Sequence, residues 1–349
     1  MTTSTSTNNR VLELLSVCAP VYNEEALLEQ FYARATAALE ETAAREQFEY
    51  ELIIVNDGSR DASAEILDRL ADSDPRLRVV HLSRNFGHQA ALTAGLEHAR
   101  GDAVAMLDAD LQDPPELIGA MIERWRTGSD IVYMVREQRD GESMFKLTTA
   151  RWFYKLFRSL AQVDLAPNSG DFRLLDRRAL DALLSMGERS RFLRGMTVWV
   201  GFTQSAIGYH RDARYAGETK YPLRKMLRFS LDAILSFSHT PLQLATYLGF
   251  LFSGVAFLAI PVVLALRLAH SYLPGFGSIT IAILMLGGIQ LIAIGVIGEY
   301  VGRIYDEVKR RPLYVVRGQR NEPLPLGEAR RVMEAVQARE QDRPLGVND

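Results

Sequence analysis

The stretch that decides the fold is DAVAMLDADLQDPPE, Asp102–Glu116. An apolar run leads straight into three aspartates, Asp108, Asp110 and Asp113. A strand that ends this way delivers carboxylates to its tip. The pattern recurs upstream. LELLSVCAPV runs into Tyr22, Asn23, Glu24 and Glu25. YELIIVND runs into Gly58 and Ser59, and RLRVVHLS into Arg84 and Asn85. Between these runs the residue pattern predicts helices over about 25–46, 62–71 and 89–99, a fourth after Pro115, and a fifth strand in SDIVYMV. Strands alternating with helices imply crossover units and a mostly parallel sheet. Ligands of such sheets bind beyond the carboxyl ends of the strands. Four consecutive strands bring polar groups to that edge, so a site is expected there.

The type of site follows partly by exclusion. The first turn lacks G-x-G-x-x-G, and no G-x-x-x-x-G-K-[ST] occurs, so neither a dinucleotide fingerprint nor a P-loop is present. No His or Cys cluster has zinc-ligand spacing. All-oxygen chemistry remains. Asp108 and Asp110 straddle Ala109, and in an extended chain they would share a face. Mg²⁺ typically takes one or two carboxylates and completes its shell with phosphate oxygens and water. A diphosphate is the natural ligand. An aspartyl-nucleophile phosphatase also uses D-x-D after a strand. That class places Thr or Val two residues after the second Asp, on the first strand; here the residue is Gln112 and the strand is the fourth.

The formal net charge of the 349 residues is −3, which gives no global basic field for nucleic acid. The single cysteine, Cys18, excludes an internal disulfide and fits a reducing compartment. Residues 1–10 read as a polar lead and 11–230 as a mixed soluble domain. Two runs then carry no charge, Pro241–Leu266 and Ser278–Gly298. Each is long enough for a membrane helix, which needs about 20 apolar residues; the alternative is a pair of buried core helices. Lys220, Arg224, Lys225 and Arg228 precede the first run, and Arg303, Lys309, Arg310 and Arg311 follow the second. The expectation is a multi-pass hairpin over 241–302 with both termini cytoplasmic. Residues 303–349 form a tail in which RPLYVVRG, Arg311–Gly318, reads as a strand able to join a sheet edge of this subunit or a neighbour.

Six motifs, in order, carry a resemblance: APVYNEE (Ala19–Glu25), VNDGSRD (Val55–Asp61), SRNFGHQAAL (Ser83–Leu92), DADLQDPPE, SGDFRLLDRR (Ser169–Arg178) and RYAGETKYPLRK (Arg214–Lys225). The chain resembles the polyprenyl-phosphate branch of family 2 glycosyltransferases of the GT-A fold, from about Ala19 to Arg311. The resemblance implies that Pro20, Tyr22 and Glu24 line a nucleoside pocket and that Asp57 bonds the base. It implies that Asp108 and Asp110 hold Mg²⁺ or Mn²⁺ and the diphosphate, with Gln112 nearby. Asp171 becomes the candidate catalytic carboxylate, and Arg214 and Lys220 face phosphates near the membrane. It also favours pairing of the C-terminal strand with a neighbour, hence a homo-oligomer, with a tetramer the first expectation. The localisation implied is the bacterial inner membrane, with a downstream flippase as a partner. His88 reads mainly as a packing or hydrogen-bonding residue at a helix start.

Charge qualifies the part Asp171 plays. A prenyl monophosphate is mostly dianionic near neutral pH, because its second pKa is about 6. Its attacking oxygen needs little deprotonation, so Asp171 either orients hydroxyls or acts as a modest base. Bringing that anion toward a diphosphate calls for cations. Arg136 and Arg139 follow the fifth strand. Lys146 and Arg151 lie in an aromatic, basic segment over 144–161, which suits a helix in the membrane interface. A second such segment covers about 221–235. The expected reaction is inverting transfer of a hexose from a nucleotide sugar, UDP-glucose first, to undecaprenyl phosphate. UDP-GlcNAc, UDP-galactose, GDP-mannose and an aminoarabinose donor stay open. A processive polysaccharide synthase would need more spans and a Q-x-x-R-W motif. A non-catalytic sugar-nucleotide sensor would carry a broken metal motif, and here DAD is intact.

Overall fold

The computed structural model describes residues 10–136, 166, 169–210, 240–268 and 276–323. They fall into two compact units, an α/β domain that includes the residues from Pro312 onward, and a helical pair that ends at Arg311.

The first half of the α/β domain is β1 (Leu14–Val21), α1 (Leu28–Glu46), β2 (Glu49–Asn56), α2 (Ser63–Ser73), β3 (Leu77–Leu82), α3 (His88–His98) and β4 (Ala103–Met106). Strands β1, β2 and β4 are buried almost throughout, as parallel strands covered on both faces must be. Alternation assigns the two faces. Leu15, Val17 and Ala19 of β1 join Phe31 and Leu39 of α1 in the main core. The opposite face takes α3, where Gly95 makes room. A Cβ at Gly95 would come within 3.1 Å of the Cys18 Cβ.

A 3₁₀ turn at Pro115–Leu117 leads into α4 (Ile118–Arg126) and β5 (Ile131–Arg136). The domain continues with β6 (Ser169–Asp176), α5 (Arg177–Ser185), α6 (Leu193–Trp199) and β7 (Gln204–Tyr209). The helical pair is α7 (Thr240–Leu268) and α8 (Phe276–Lys309), and the last strand is β8 (Val316–Arg320). The sheet order is β7-β5-β6-β4-β1-β2-β3-β8. The pairs β1–β2, β1–β4, β2–β3 and β5–β7 are parallel.

Two placements differ from the sequence reading. The mostly parallel sheet that was expected carries an antiparallel strand between β4 and β5. That strand is SGDFRLLD, β6, which pairs antiparallel with both neighbours. The second difference concerns β8, which pairs antiparallel with β3 of its own sheet, so the strand expected to reach a neighbour closes an edge of this subunit. Ser83 N donates to Val315 O at 2.8 Å. Asn321 Nδ2 donates to the carbonyls of Ala71, Asp74 and Leu77 at 2.7, 3.0 and 2.8 Å. The three Asn321 bonds tie the end of α2, the turn after it and the first residue of β3 to the C-terminal strand. The oligomer argument built on that strand loses its basis.

Both helices of the second unit form where the uncharged runs predict them. Among the side chains described, large apolar ones point outward, with Phe250 73% and Leu291 71% exposed. That is not the pattern of buried core helices. Among the described residues, one segment, Met285–Lys309, is long and apolar enough to cross a membrane by length and composition.

Candidate active site

The site is built at the carboxyl ends of β1, β2, β3 and β4, and β6 adds a further side. Register explains the last point. Ala103 faces Asp176 and Met106 faces Arg173. Asp171 lies two residues before Arg173 and Asp108 two residues after Met106, so this register brings both to the same end of the sheet, where His88 lies near each. An antiparallel neighbour brings its first residues to the edge where the parallel strands bring their last.

The DAD turn itself departs from expectation. Strand β4 ends at Met106, so pleat alternation no longer operates at Asp108–Asp110. The sequence still sorts: Ala109 is buried, whereas Asp108 and Asp110 are half-buried. Leu111 takes a positive φ of 61°, and Gln112 N donates to Asp110 Oδ1 at 3.1 Å. Burial pushes Asp108 up to about 6; His88 opposes this, and Asp171, Asp113 and Asp110 add to it. Such a surplus of carboxylates favours a cation, and two hard oxygen donors fit Mg²⁺ or Mn²⁺. Among the described residues no group of three His, Cys, Asp or Glu forms a complete metal cage.

His88 sits between two of these carboxylates. Its Nε2 lies 3.3 Å from Asp171 Oδ2 and 3.6 Å from Asp108 Oδ1. Asp171 also accepts from Gln89 Nε2 at 3.3 Å and from Arg194 Nη2 at 3.4 Å. Burial would raise Asp171, but the bond to His88 and the charges of Arg194 and Arg173 outweigh it and hold Asp171 well below the usual carboxylate range. Arg173 is itself buried, donates to Gly170 O at 2.9 Å and bonds Thr197 Oγ1.

A second cluster lies beside the first. Tyr209 Oη donates to Asp113 Oδ1 at 2.5 Å and accepts from Arg136 Nε at 3.3 Å. Arg136 needs room there. A Cβ at position 170 would come within 2.9 Å of Arg136 Nη2, so Gly170 lets the guanidinium lie against β6.

The remaining predicted residues separate into groups. Pro20 and Glu24 are half-buried and Tyr22 is 40% exposed, all at the end of β1. Glu24 N donates to Ser63 Oγ at 3.1 Å. Asp57 is buried, and its oxygens accept from Phe86 N at 2.7 Å and Gly87 N at 2.9 Å. In this structure Asp57 holds the loop between β3 and α3. The base contact implied by resemblance stays a proposal beside this bracing role. Arg139, Lys146, Arg151, Arg214 and Lys220 lie outside the described residues, as do the two interfacial segments. Sequence reasoning missed Gln89, Arg194, Arg173 and the Asp113–Tyr209 pair. Gln89 lies within the quoted SRNFGHQAAL, whereas Arg194 has no local signal because its partner is distant in sequence.

The profile of Glycosyl transferase family 2 matches residues 16–184. The uncharacterized glycosyltransferase YkcC of Bacillus subtilis is 50% identical over 302 residues, covering 86% of this chain and 92% of that protein. The chain belongs to glycosyl transferase family 2. Its α/β domain is accordingly of the GT-A type, and the protein is a glycosyltransferase. A prophage bactoprenol glucosyl transferase homolog of Escherichia coli is 40% identical over 304 residues, covering 87% of this glycosyltransferase and 98% of the relative. The bactoprenol glucosyl transferase of Shigella phage SfV is 39% identical over 307 residues, with 88% and 99% covered.

Proposed function

We propose that this glycosyltransferase moves a hexose from a nucleotide sugar, UDP-glucose first among candidates, to undecaprenyl phosphate at the cytoplasmic face of a bacterial inner membrane. The observation that carries the reading is the convergence of Asp171 and the DAD turn on His88, in a chain whose relatives are named for glucosyl transfer to bactoprenol. Asp108 and Asp110 would hold Mg²⁺ or Mn²⁺. The ion would supply positive charge to the departing nucleoside diphosphate. Pro20, Tyr22 and Glu24 border the place for the nucleoside.

The attacking phosphate brings its own negative oxygen, so the protein need not remove a proton from it. Both oxygens of Asp171 are already engaged, by His88 and Gln89 on one and Arg194 on the other. We therefore assign it an orienting role: it fixes His88 and Arg194 and accepts from a sugar hydroxyl while the phosphate attacks with inversion. Arg136, together with Arg139, Lys146, Arg151, Arg214 and Lys220, offsets the acceptor's charge. Helices α7 and α8 cross the bilayer as a hairpin with both chain ends cytoplasmic, keeping the prenyl tail in lipid while its phosphate meets the domain.

The test is a transfer assay with purified enzyme, undecaprenyl phosphate, Mg²⁺ or Mn²⁺ and a panel of radiolabelled sugar nucleotides, with EDTA as control. Labelled lipid from one donor, absent in EDTA, supports the reading and names the sugar. Absence of labelled lipid with every donor, from protein that binds nucleotide, overturns it.

A further inference from the structure

We propose that Gln89 is a positioning residue for sugar transfer, acting through Asp171; this rests on the reading above. Gln89 stands in the first turn of α3. Its amide spans two other elements. Oε1 accepts from Leu193 N at 2.9 Å, at the start of α6, and Nε2 donates to Asp171 Oδ2 at 3.3 Å on β6. The orientation of the amide is forced. A backbone N–H can only donate, so the oxygen must face Leu193. The NH₂ is then left facing an ionised carboxylate, which can only accept.

The bridge has two consequences. Leu193 N is an orphan donor of the first turn of α6, and Phe192 before it makes no side-chain cap; Gln89 takes that place. The second is geometric. Arg194, the next residue of α6, reaches the other oxygen, Asp171 Oδ1, at 3.4 Å. Gln89 and Arg194 thus engage the two oxygens separately, from two helices, and leave the carboxylate little freedom to rotate. His88, one residue before Gln89, shares Oδ2. Helix α3 therefore sets the angle at which Asp171 faces the DAD turn. Preorganisation of this kind acts on the turnover step more than on binding.

Gln89→Glu separates the two bonds. It keeps length and shape, and it keeps an acceptor for Leu193 N. Toward Asp171 it replaces a donor with a like charge. The expected result is a melting temperature near that of the wild type, an unchanged KM for the nucleotide sugar, and a kcat lower by about 10- to 100-fold, as for other supporting groups around a site. A wild-type kcat in Gln89→Glu overturns the inference, because a purely structural amide would tolerate this change. Should Gln89→Glu fail to fold, Gln89→Met removes both bonds without adding charge; folded protein with full kcat likewise overturns it. The unaltered enzyme is assayed in parallel. If it makes no prenyl-linked sugar from any donor, the proposed function falls. If it does and both variants match it, only the role of Gln89 falls.

Discussion

Asp171 Oδ2 lies 3.3 Å from His88 Nε2, across 83 residues of sequence. The pair exists because β6 runs antiparallel to β4 and starts where β4 ends. Replacing Asp171 by Asn removes the negative charge that His88, Arg194 and Arg173 share. We expect Asp171→Asn to lower kcat by about 10²-fold, the lower end of the range for acid–base groups, while nucleotide binding persists. Comparing kcat with nucleotide affinity from calorimetry checks this; a parallel loss of both would refute an orienting role.

The DAD turn makes a separate prediction. Asp110→Asn keeps the size of the side chain and weakens its hold on a cation. Transfer should fall by more than the ~10–100-fold typical of outer-shell losses, with membrane insertion and melting temperature unchanged. Retained activity in the purified variant would count against the metal role.

A buried ion pair sits on the α3 face of the sheet, away from the DAD turn. Arg78 Nη1 donates to Glu51 Oε2 at 2.8 Å, with side-chain exposures of 7% and 5%. Ser16 Oγ donates to Glu51 Oε1 at 2.6 Å. Glu51→Ala strands the guanidinium in the interior. Breaking such a pair from one side costs about 3–5 kcal/mol, which denaturant unfolding of the enzyme would read as a lower midpoint. Glu51→Gln, which keeps an acceptor, should lose less.

Gly58 has φ +65°, and a Cβ there would stand 2.4 Å from the Arg84 carbonyl carbon. Gly58→Ala must displace backbone and hold a non-glycine residue in the left-handed region. Strain of this kind costs about 1–3 kcal/mol, and the loop displaced is the one that Asp57 braces. Both melting temperature and kcat should fall; a variant with neither changed would show that the loop yields freely.

The docking of β8 should depend on pH. Asp68 would be raised by its partial burial, but hydrogen bonds from Arg320, at 2.8 and 3.1 Å, and from His81 lower it below the usual value. A depressed folded pKa contributes stability that is present above the unfolded value, about 4, and is lost as pH falls through the folded one. Amide exchange across Val316–Arg320 should therefore quicken, relative to the central strands, as pH drops below about 4. Asp68→Asn should remove that dependence.

Much of this was legible because local pattern and burial agree. Continuous apolar runs marked β1, β2, β3 and β4, and polar residues at their ends marked the edge that carries the site. The motifs Ser83–Leu92 and Ser169–Arg178 were visible as strings, yet their meeting was not. No periodicity within Ser169–Asp176 says whether the strand pairs with β4 or lies beyond β5, or in which direction it runs. Asp57 has a bracing role that no local pattern announces. Its carboxylate suits a ligand, but Phe86 and Gly87 present two backbone donors that bury it.

The sequence by itself determined the class of the domain, the DAD turn at the end of an apolar strand, and two helices built on uncharged runs. These are properties of neighbouring residues, set by side-chain period and hydropathy. Tertiary structure alone decided that Asp171 and Asp108 meet at His88, that Gln89 and Arg194 grip the two oxygens of Asp171, and that β8 closes the edge of its own sheet. Each depends on strand order and direction, and these follow from which buried faces and backbone donors find partners across long stretches of chain.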